Sequence, residues 1–462
     1  MKQEVSTAAG KNQRTKIDML NGPLWNKIPQ FALPVAATAV LGQLFNASDL
    51  AIIGNFTGDI RTVAVAAVGA NSAVISLVLN FFVGIALGVN VVIANAIGRN
   101  DREEVQRVVH TAVIVAVIGG ILVAVLGQLA AGRLLGTLHV PDEVFPYALL
   151  YLRIYLLGMP VMLLYNFEAA IFRSVGDTKV PLAALAFSGV LNVFLNLFFV
   201  TVLKMTVDGV AVATVISNAV SAVLLFHRLL KTEQVIRLEL HCLRVDTTYL
   251  KKILRIGLPA GTQSAVFSIS NIVIQSAVNS LGTVVMAASS AAYNIEIIAY
   301  FVLNSFAQAC TTFVGQNYGA RQKKRCQRTL LICIAEDAIA CGTAVALVLF
   351  FGKSLLALFN NDPQVISIGY TRMVIVLASY LFSMLYEMMS GYMRGFGISL
   401  TPALLTIFGV CVVRITWIRL VFPVYRTFET IMIAYPVSLS ITALLIFAAL
   451  LICRPSRRLD DE

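Results

Sequence analysis

The sequence predicts an all-α polytopic membrane protein with twelve transmembrane helices in two six-helix, pseudo-symmetric bundles. Three observations predict this fold: the composition, a series of long uncharged segments, and residues that recur at matched spacing in the two halves. Of the 462 residues, 58% are hydrophobic and only 13% are charged, whereas soluble proteins carry about 25% charged residues. A chain this apolar has too little polar surface for a water-soluble globule.

The segments Ala73–Gly98 and Thr111–Gly132 show the spanning pattern most clearly. Each contains about 20 consecutive uncharged residues, enough for a helix to cross a bilayer core of about 30 Å. Their apolar residues run continuously instead of alternating, which favours helices over a barrel. The predicted spans cover residues 28–56, 64–97, 108–132, 144–172, 180–203, 208–230, 250–281, 284–314, 328–352, 364–393, 399–422 and 429–453.

Basic residues predict the orientation of these spans. If both termini are cytoplasmic, most of the 35 Lys and Arg residues lie on the cytoplasmic side, as the positive-inside rule requires. We therefore expect a multi-pass protein of the cytoplasmic membrane, namely a bacterial inner membrane. The opposite side then has only Arg61, Arg133, Lys204, Lys353 and Arg426.

The polar start of the chain, residues 1–20, leads directly into a full-length span, so we expect no cleavable signal peptide. The basic residues are dispersed over short loops and form no single basic face, which argues against nucleic acid as a partner. The expected partners are membrane lipids and small organic substrates, and the expected state is a monomer.

The longest predicted cytoplasmic loop, residues 231–249, divides the chain in two. Residues 1–230 form the predicted N-terminal six-helix bundle with its cytoplasmic tail. Residues 250–462 form the predicted C-terminal bundle with a short cytoplasmic tail.

The two halves contain the same short motif of Arg, Gly and Pro. "RSVGDTKVP" (Arg173–Pro181) and "RGFGISLTP" (Arg394–Pro402) place Arg, Gly and Pro at equal offsets. We expect Gly to permit a sharp cytoplasmic turn, Pro to begin the next helix, and Arg to anchor at the head groups. Further pairs in register are Pro34 with Pro259, Asn46 with Asn271, Gln106-Arg107 with Gln327-Arg328, Tyr151 with Tyr370, Arg153 with Arg372, and Glu168 with Glu387.

These pairs predict an internal duplication. Since each unit has an even number of helices, both units insert the same way and are related by an axis along the membrane normal. In that geometry the substrate site lies between the halves, near the midplane.

Three motifs together resemble the multidrug and toxic compound extrusion (MATE) family over essentially the whole chain: "RSVGDTKVP", "VGQNYGARQ" (Val314–Gln322) and "NASDLAIIGNFTG" (Asn46–Gly58). The resemblance implies a secondary antiporter, not an enzyme, that exports organic and often cationic compounds while H⁺ or Na⁺ enters. It implies no cofactor beyond that coupling ion, and the scattered histidines show no metal-ligand spacing.

Acidic residues inside spans are the candidate site residues, because a charge at the bilayer centre costs about 3 kcal/mol. The resemblance implies that Asp49 forms a cation or proton site with Asn192, Asn196 and Thr214. Many relatives carry Asp where Asn196 stands, so one proton is easier to explain here than a tightly held Na⁺. The alternative is that Asp49 only hydrogen-bonds to these residues and tightens the bundle.

In the C-terminal half, Glu296 and Tyr293 are predicted to bind substrate or to take part in coupling. Glu387 and its repeat mate Glu168 are predicted to do the same. The alternatives are a structural ion pair for Glu296 and pairing with a nearby Arg for the other two. Arg414 is expected to neutralise Glu387 or Glu296, and the sequence does not select between them.

Glu336 and Asp337 are expected to face a neighbouring helix or the cytoplasmic entrance. Several Met, Tyr and Phe side chains could form an adaptable pocket for organic cations, and the alternative is that they only pack in the helix bundle. These side chains are Met384, Met388, Met389, Tyr293, Tyr300 and Phe167.

Two other classes of function remain open. A flippase for a lipid-linked precursor would require a basic cavity for its diphosphate, whereas the central spans offer mainly acids. An intramembrane enzyme would require a His/Asp cluster at a membrane surface, and none is visible in the sequence. No Walker loop occurs either, which argues against direct ATP drive.

Overall fold

The computed structural model describes residues 17–138, 140–457 and 459. Most of the predicted N-terminal tail, on which the signal-peptide prediction depends, and the last residues of the C-terminal tail lie outside them. Within the described residues the chain forms twelve membrane-spanning helices, of which two are broken at one residue and two contain a π-helical turn. They are α1 (Leu24–Phe56), α2 (Arg61–Gly98), α3 (Arg102–Thr137), α4 (Phe145–Leu157 and Met159–Ser174), α5 (Lys179–Leu197, continued by a π-helical turn, Phe198–Val202), α6 (Val207–Lys231), α7 (Thr247–Asn279), α8 (Thr283–Gly319), α9 (Lys323–Ala357), α10 (Pro363–Ala378 and Tyr380–Gly395), α11 (Leu400–Thr406, π-helical Ile407–Val412 and Val413–Leu420) and α12 (Phe428–Cys453).

The all-α, twelve-helix prediction is confirmed. Ten of the described helices are long and apolar enough to cross a membrane, and the bent α4 makes eleven. The remaining helix, α7, is more polar than the others. Its side chains Gln263, Ser264, Ser268 and Asn271 line a central cavity, which explains polar residues that lipid would not tolerate.

The fourth helix of each half is interrupted within two residues of the same place in the repeat. Helix α4 breaks at Gly158, where its two parts bend by 50°. Pro160 begins the second part and cannot donate the backbone hydrogen bond that would continue the helix. Helix α10 breaks at Ser379 without a proline. The matched breaks support the duplication, although their local causes differ.

The glycines and prolines of the repeated turn lie as the sequence predicts. Gly176 and Gly397 adopt φ of +85° and +78°, a region that favours glycine. Pro181 and Pro402 lie in the first turns of α5 and α11. The two glycines therefore allow each chain reversal before the next helix starts.

A seam of glycines holds the two halves in backbone contact. A Cβ atom added to Gly84 on α2 would lie 2.3 Å from Cα of Gly261 on α7. Nearer the linker, a Cβ on Gly98 would lie 2.0 Å from the carbonyl oxygen of Gln316 on α8. Only small residues let helices approach this closely in a membrane. The halves are thus tightly closed on the side where the linker lies.

Candidate functional site

The predicted N-terminal site residues come together around Asp49. The Asn196 side-chain amide of α5 donates to Asp49 Oδ1 at 2.6 Å and also to Asn192 Oδ1 at 3.1 Å. The Thr214 hydroxyl of α6 lies 3.3 Å from Asp49 Oδ2 and 2.9 Å from the Val210 carbonyl oxygen, so its single proton serves one acceptor at a time. The consecutive helices α5 and α6 therefore converge with the distant helix α1 on one carboxylate.

Asp49 has no positive neighbour. It is 6% exposed, and among the described residues no Lys, Arg or His forms a salt bridge with it. Neutral donors offset only part of the cost of burying an ionised carboxylate. The site therefore requires either a proton or a bound cation whenever it is closed to water.

The amide of Asn196 can serve both protonation states of Asp49. Its NH₂ group faces the carboxylate, while its Oδ1 is buried without a hydrogen-bond partner. A flip of the amide would place this oxygen where it accepts from a protonated Asp49. The site can therefore gain and lose a proton without leaving the carboxyl group unpartnered.

A central cavity of about 530 Å³ lies between the two halves. This volume is within the usual range for small-molecule sites. Tyr293, Tyr300 and Glu387 line it, together with Arg173 and Arg394. Asp49 and its partners do not line it, so the predicted coupling site and the cavity are separate places.

The prediction that Arg173 and Arg394 anchor at the head groups is wrong. Both line the central cavity, where Arg173 donates to Gln308 Oε1 at 3.2 Å and Arg394 donates to Gln263 Oε1 at 3.0 Å. The expectation that acids dominate the central spans is also wrong for the cavity lining, which has two arginines and one carboxylate.

Glu296 lies in a buried ion pair with Arg372. The Arg372 guanidinium donates to both carboxylate oxygens of Glu296, with Nε at 3.2 Å from Oε2. Its Nη1 donates to Ser289 Oγ at 2.8 Å. The structure thus forms the ion pair that the sequence left as an alternative. The roles of Glu296 and of nearby Tyr293, whose ring lies 5.7 Å from Arg372, stay predictions.

The expectation that Arg414 neutralises Glu296 or Glu387 is wrong. Arg372 pairs with Glu296, and Glu387 lies 3.9 Å from Arg394. Arg414 instead donates from Nε to Ser438 Oγ at 2.9 Å and is 1% exposed. Sequence proximity could not show this pairing, because it depends on how each helix is rotated.

Glu168 does not pair with Arg173. It is fully buried, and neither of its carboxylate oxygens has a hydrogen-bond partner among the described residues. Glu336 and Asp337 on α9 are also buried without partners for their carboxylate oxygens. Met384, Met388, Met389 and Phe167 are packed in the interior, so only Tyr293 and Tyr300 of the predicted adaptable pocket reach the central cavity.

Two features were not singled out from the sequence. The glycines at four-residue spacing in "GIALG" (84–88) and "GLPAG" (257–261) are a helix-packing signal that could have predicted the seam. In the linker, ligand atoms of Glu239, His241 and Cys242 lie within 4.8 Å of one another, mostly exposed. No sequence spacing rule indicated that cluster.

Known proteins share this architecture. The MatE family profile matches residues 34–198 and 259–417. The chain is 27% identical to the probable multidrug resistance protein YoeA of Bacillus subtilis, over 92% of this chain and 93% of that protein. It is 26% identical to the probable multidrug resistance protein NorM of Thermotoga maritima, over 84% and 83%. A solved outward-facing structure of a multidrug resistance MATE family transporter of the MOP superfamily has the same fold, with a TM-score of 0.87, 23% identity, and coverage of 97% and 99%.

Proposed function

This chain belongs to the MatE family of membrane transporters, and from that premise we propose that it is a proton-coupled antiporter that exports organic compounds, cationic ones among them. The observation that carries the proposal is the buried carboxylate of Asp49, which has neutral hydrogen-bond donors and no counter-charge. The multidrug resistance names of its relatives support the substrate class.

A proton fits the Asp49 site better than Na⁺ does. Hard cations require several oxygen ligands. Here the carboxylate oxygens face the NH₂ of Asn196 and the hydroxyl of Thr214. Asn196 also occupies a position where an Asp would add a second carboxylate, and two carboxylates would hold a metal cation more tightly than one. One titrating group therefore exchanges one proton.

Coupling follows from the cost of an unpaired buried charge. The ionised carboxylate is tolerated only when water reaches it, so closing the N-terminal bundle around Asp49 requires the proton. With the linker in the cytoplasm, the glycine seam closes the transporter on that side. A proton taken up from the outside and released after the halves rearrange would link proton entry to substrate exit.

The energy of one proton is sufficient for useful export. One charge that crosses about 100 mV yields about 2.3 kcal/mol. Each 1.4 kcal/mol corresponds to a factor of ten, so one proton sustains a substrate gradient of roughly 50-fold.

The aromatic faces of Tyr293 and Tyr300, with the carboxylate of Glu387, give the central cavity contacts suited to organic cations. A lipid-linked precursor with an anionic head group is a second candidate, because Arg173 and Arg394 also line this cavity. Scrambling of a labelled lipid-linked diphosphate by the reconstituted protein, without any ion gradient, would identify that second function.

The test of the proposal uses purified protein in proteoliposomes with pH and Na⁺ gradients imposed separately. Wild type should concentrate a fluorescent organic cation when only the pH gradient is present. Asp49→Asn should insert normally and bind the dye, yet fail to concentrate it, because an amide cannot titrate. Asp142→Asn, on an exposed loop, is the matched control and should behave as wild type.

Two results would contradict the proposal. If Asp49→Asn concentrates the dye at the wild-type rate, Asp49 is only structural. If wild type responds to the Na⁺ gradient and not to the pH gradient, the coupling ion is Na⁺.

A further inference from the structure

A small side cavity of about 70 Å³ lies in the C-terminal half. It shares the lining residues Phe267, Asn271, Tyr293 and Tyr300 with the central cavity, so the two spaces adjoin. Its charged lining residues are Arg372, Arg414 and Glu296. Two buried cations therefore face one buried carboxylate.

Arg372 binds both oxygens of the one carboxylate in this cavity, that of Glu296. Both oxygens of Glu296 accept from that guanidinium, and Ser289 accepts from its Nη1. This bidentate geometry is the strongest arrangement available to an Arg–carboxylate pair. Glu296 is therefore not available to neutralise a second arginine.

Arg414 is left with a surplus charge. Its Nε donates to Ser438, while its Nη1 is buried without a hydrogen-bond partner. No carboxylate among the described residues forms a salt bridge with it, since Glu387 lies against Arg394. The Arg414 guanidinium carbon is 4.3 Å from the centroid of the Tyr435 ring.

Contact with an aromatic face offsets only part of the cost of such a charge. A buried cation without a counterion, and with an unmade hydrogen bond, is strongly unfavourable. The cavity also presents neutral donors, the Asn271 amide and the Ser383 hydroxyl. A compact anion in the cavity would accept hydrogen bonds from these groups and would neutralise the charge of Arg414, which lines the same cavity.

We propose that this side cavity is an anion-binding subsite in which Arg414 binds a carboxylate-sized, monovalent anion. The inference rests on the proposed export function and names its preferred substrates: amphoteric organic compounds, whose acidic group enters the subsite while the rest occupies the central cavity. The anion comes either from the substrate itself or from free chloride. The Arg372–Glu296 pair keeps the second cation neutral, so the subsite holds one negative charge.

The test compares a rhodamine dye that has a free carboxylate with the methyl ester of the same dye. Equilibrium binding is measured on purified protein in nanodiscs, without any ion gradient, so that the result does not depend on coupling. Each dye is titrated in chloride buffer and in a buffer whose only anion is too large for the cavity. The variants are Arg414→Met, Arg414→Lys and the control Arg419→Gln, an exposed arginine on the same helix.

If the substrate supplies the anion, wild type should bind the acid at least about tenfold more tightly than the ester, which is about 1.4 kcal/mol. Arg414→Met should reduce that ratio to about one, and Arg419→Gln should leave it unchanged. If chloride supplies the anion, removal of chloride should weaken ester binding about tenfold in wild type and not in Arg414→Met. Either result supports the subsite and identifies its source.

The proposal is overturned if wild type binds acid and ester equally and chloride changes neither affinity. That comparison needs no variant, so it stands even if Arg414→Met does not fold. Asp49→Asn separates this inference from the coupling mechanism. It should lose concentrative transport while it keeps the acid-to-ester ratio, so a failure of one proposal is distinguishable from a failure of the other.

Discussion

In this transporter an acid of the N-terminal half and an arginine of the C-terminal half are each buried without a partner of opposite charge. In the N-terminal half the charge is Asp49 on α1, held by Asn196 and Thr214. In the C-terminal half it is Arg414 on α11, held by Ser438 and stacked on Tyr435. A duplicated frame has thus been adapted to two chemistries.

The repeat register shows how the difference arose. Val413 and Trp417 stand where the N-terminal half has Asn192 and Asn196, and Trp417 donates from its indole to the Thr430 carbonyl oxygen at 2.8 Å. When α1 and α7 are aligned on Pro34 and Pro259, Asp49 aligns with the buried Ile274. The C-terminal half therefore lacks the carboxylate and both amides of the proton site, and Arg414 is its own addition.

The largest effect that we expect distinguishes the two buried acids by stability. Glu296→Gln should destabilise the protein by about 3–5 kcal/mol, because it leaves Arg372 buried without its partner. Asp49→Asn, the same chemical change in the other half, should be neutral or stabilising, because it removes a charge that has no partner. Thermal unfolding in detergent measures both. Glu429→Gln, at an exposed position, is the control.

Equal destabilisation by Glu296→Gln and Asp49→Asn would contradict the contrast between a paired and an unpaired acid.

The second prediction adds a carboxylate to each half at equivalent positions. Asn196→Asp gives the Asp49 site a second titrating group, so the substrate gradient supported by one pH unit, at zero membrane potential, should rise from about tenfold towards about hundredfold. Trp417→Asp, the equivalent change in the C-terminal half, should leave it near tenfold. Steady-state dye gradients in proteoliposomes over a series of pH gradients measure this slope. The same slope for both variants would show that the site is not specific to the N-terminal half.

The smallest expected effect concerns the seam where the halves meet. Gly98→Ala places a methyl group against the Gln316 backbone, so it should disfavour the arrangement closed on the linker side by about 1–3 kcal/mol. Distances between spin labels at the linker-side ends of α2 and α8 report the two populations. Gly132→Ala, where an added Cβ meets nothing within 4 Å, is the control. An unchanged distance distribution would mean that the halves do not separate there.

Much of the fold was predictable because hydrophobicity sums over a whole span. A span such as 208–230 needs only an average over about 20 residues, and the helix found there is Val207–Lys231. The glycines of the repeated turn were predictable for a local reason, since φ near +80° excludes most other residues. The resemblance to a known family grouped Asp49 with Asn196 and Thr214, which the structure brings into contact.

The depth of a side chain in the bundle and the rotation of its helix were not predictable in the same way. Arg173 and Arg394 lie next to the repeated turn, and the sequence alone placed them at the head groups. The structure places them in the central cavity, where Arg173 donates to Gln308 of the other half and Arg394 donates to Gln263 of its own half. A hydrophobic run gives the length of a helix, not how far its end projects.

The sequence by itself determined the number of spans, the duplication, and which acidic residues lie within spans. Only the tertiary structure decided which of those charges meet. The sequence left Arg414 to neutralise Glu387 or Glu296, whereas the structure pairs Glu296 with Arg372. Because pairing depends on helix rotation and tilt, which packing of the whole bundle sets, the structure alone shows that Arg372 is neutralised and that Arg414 is not.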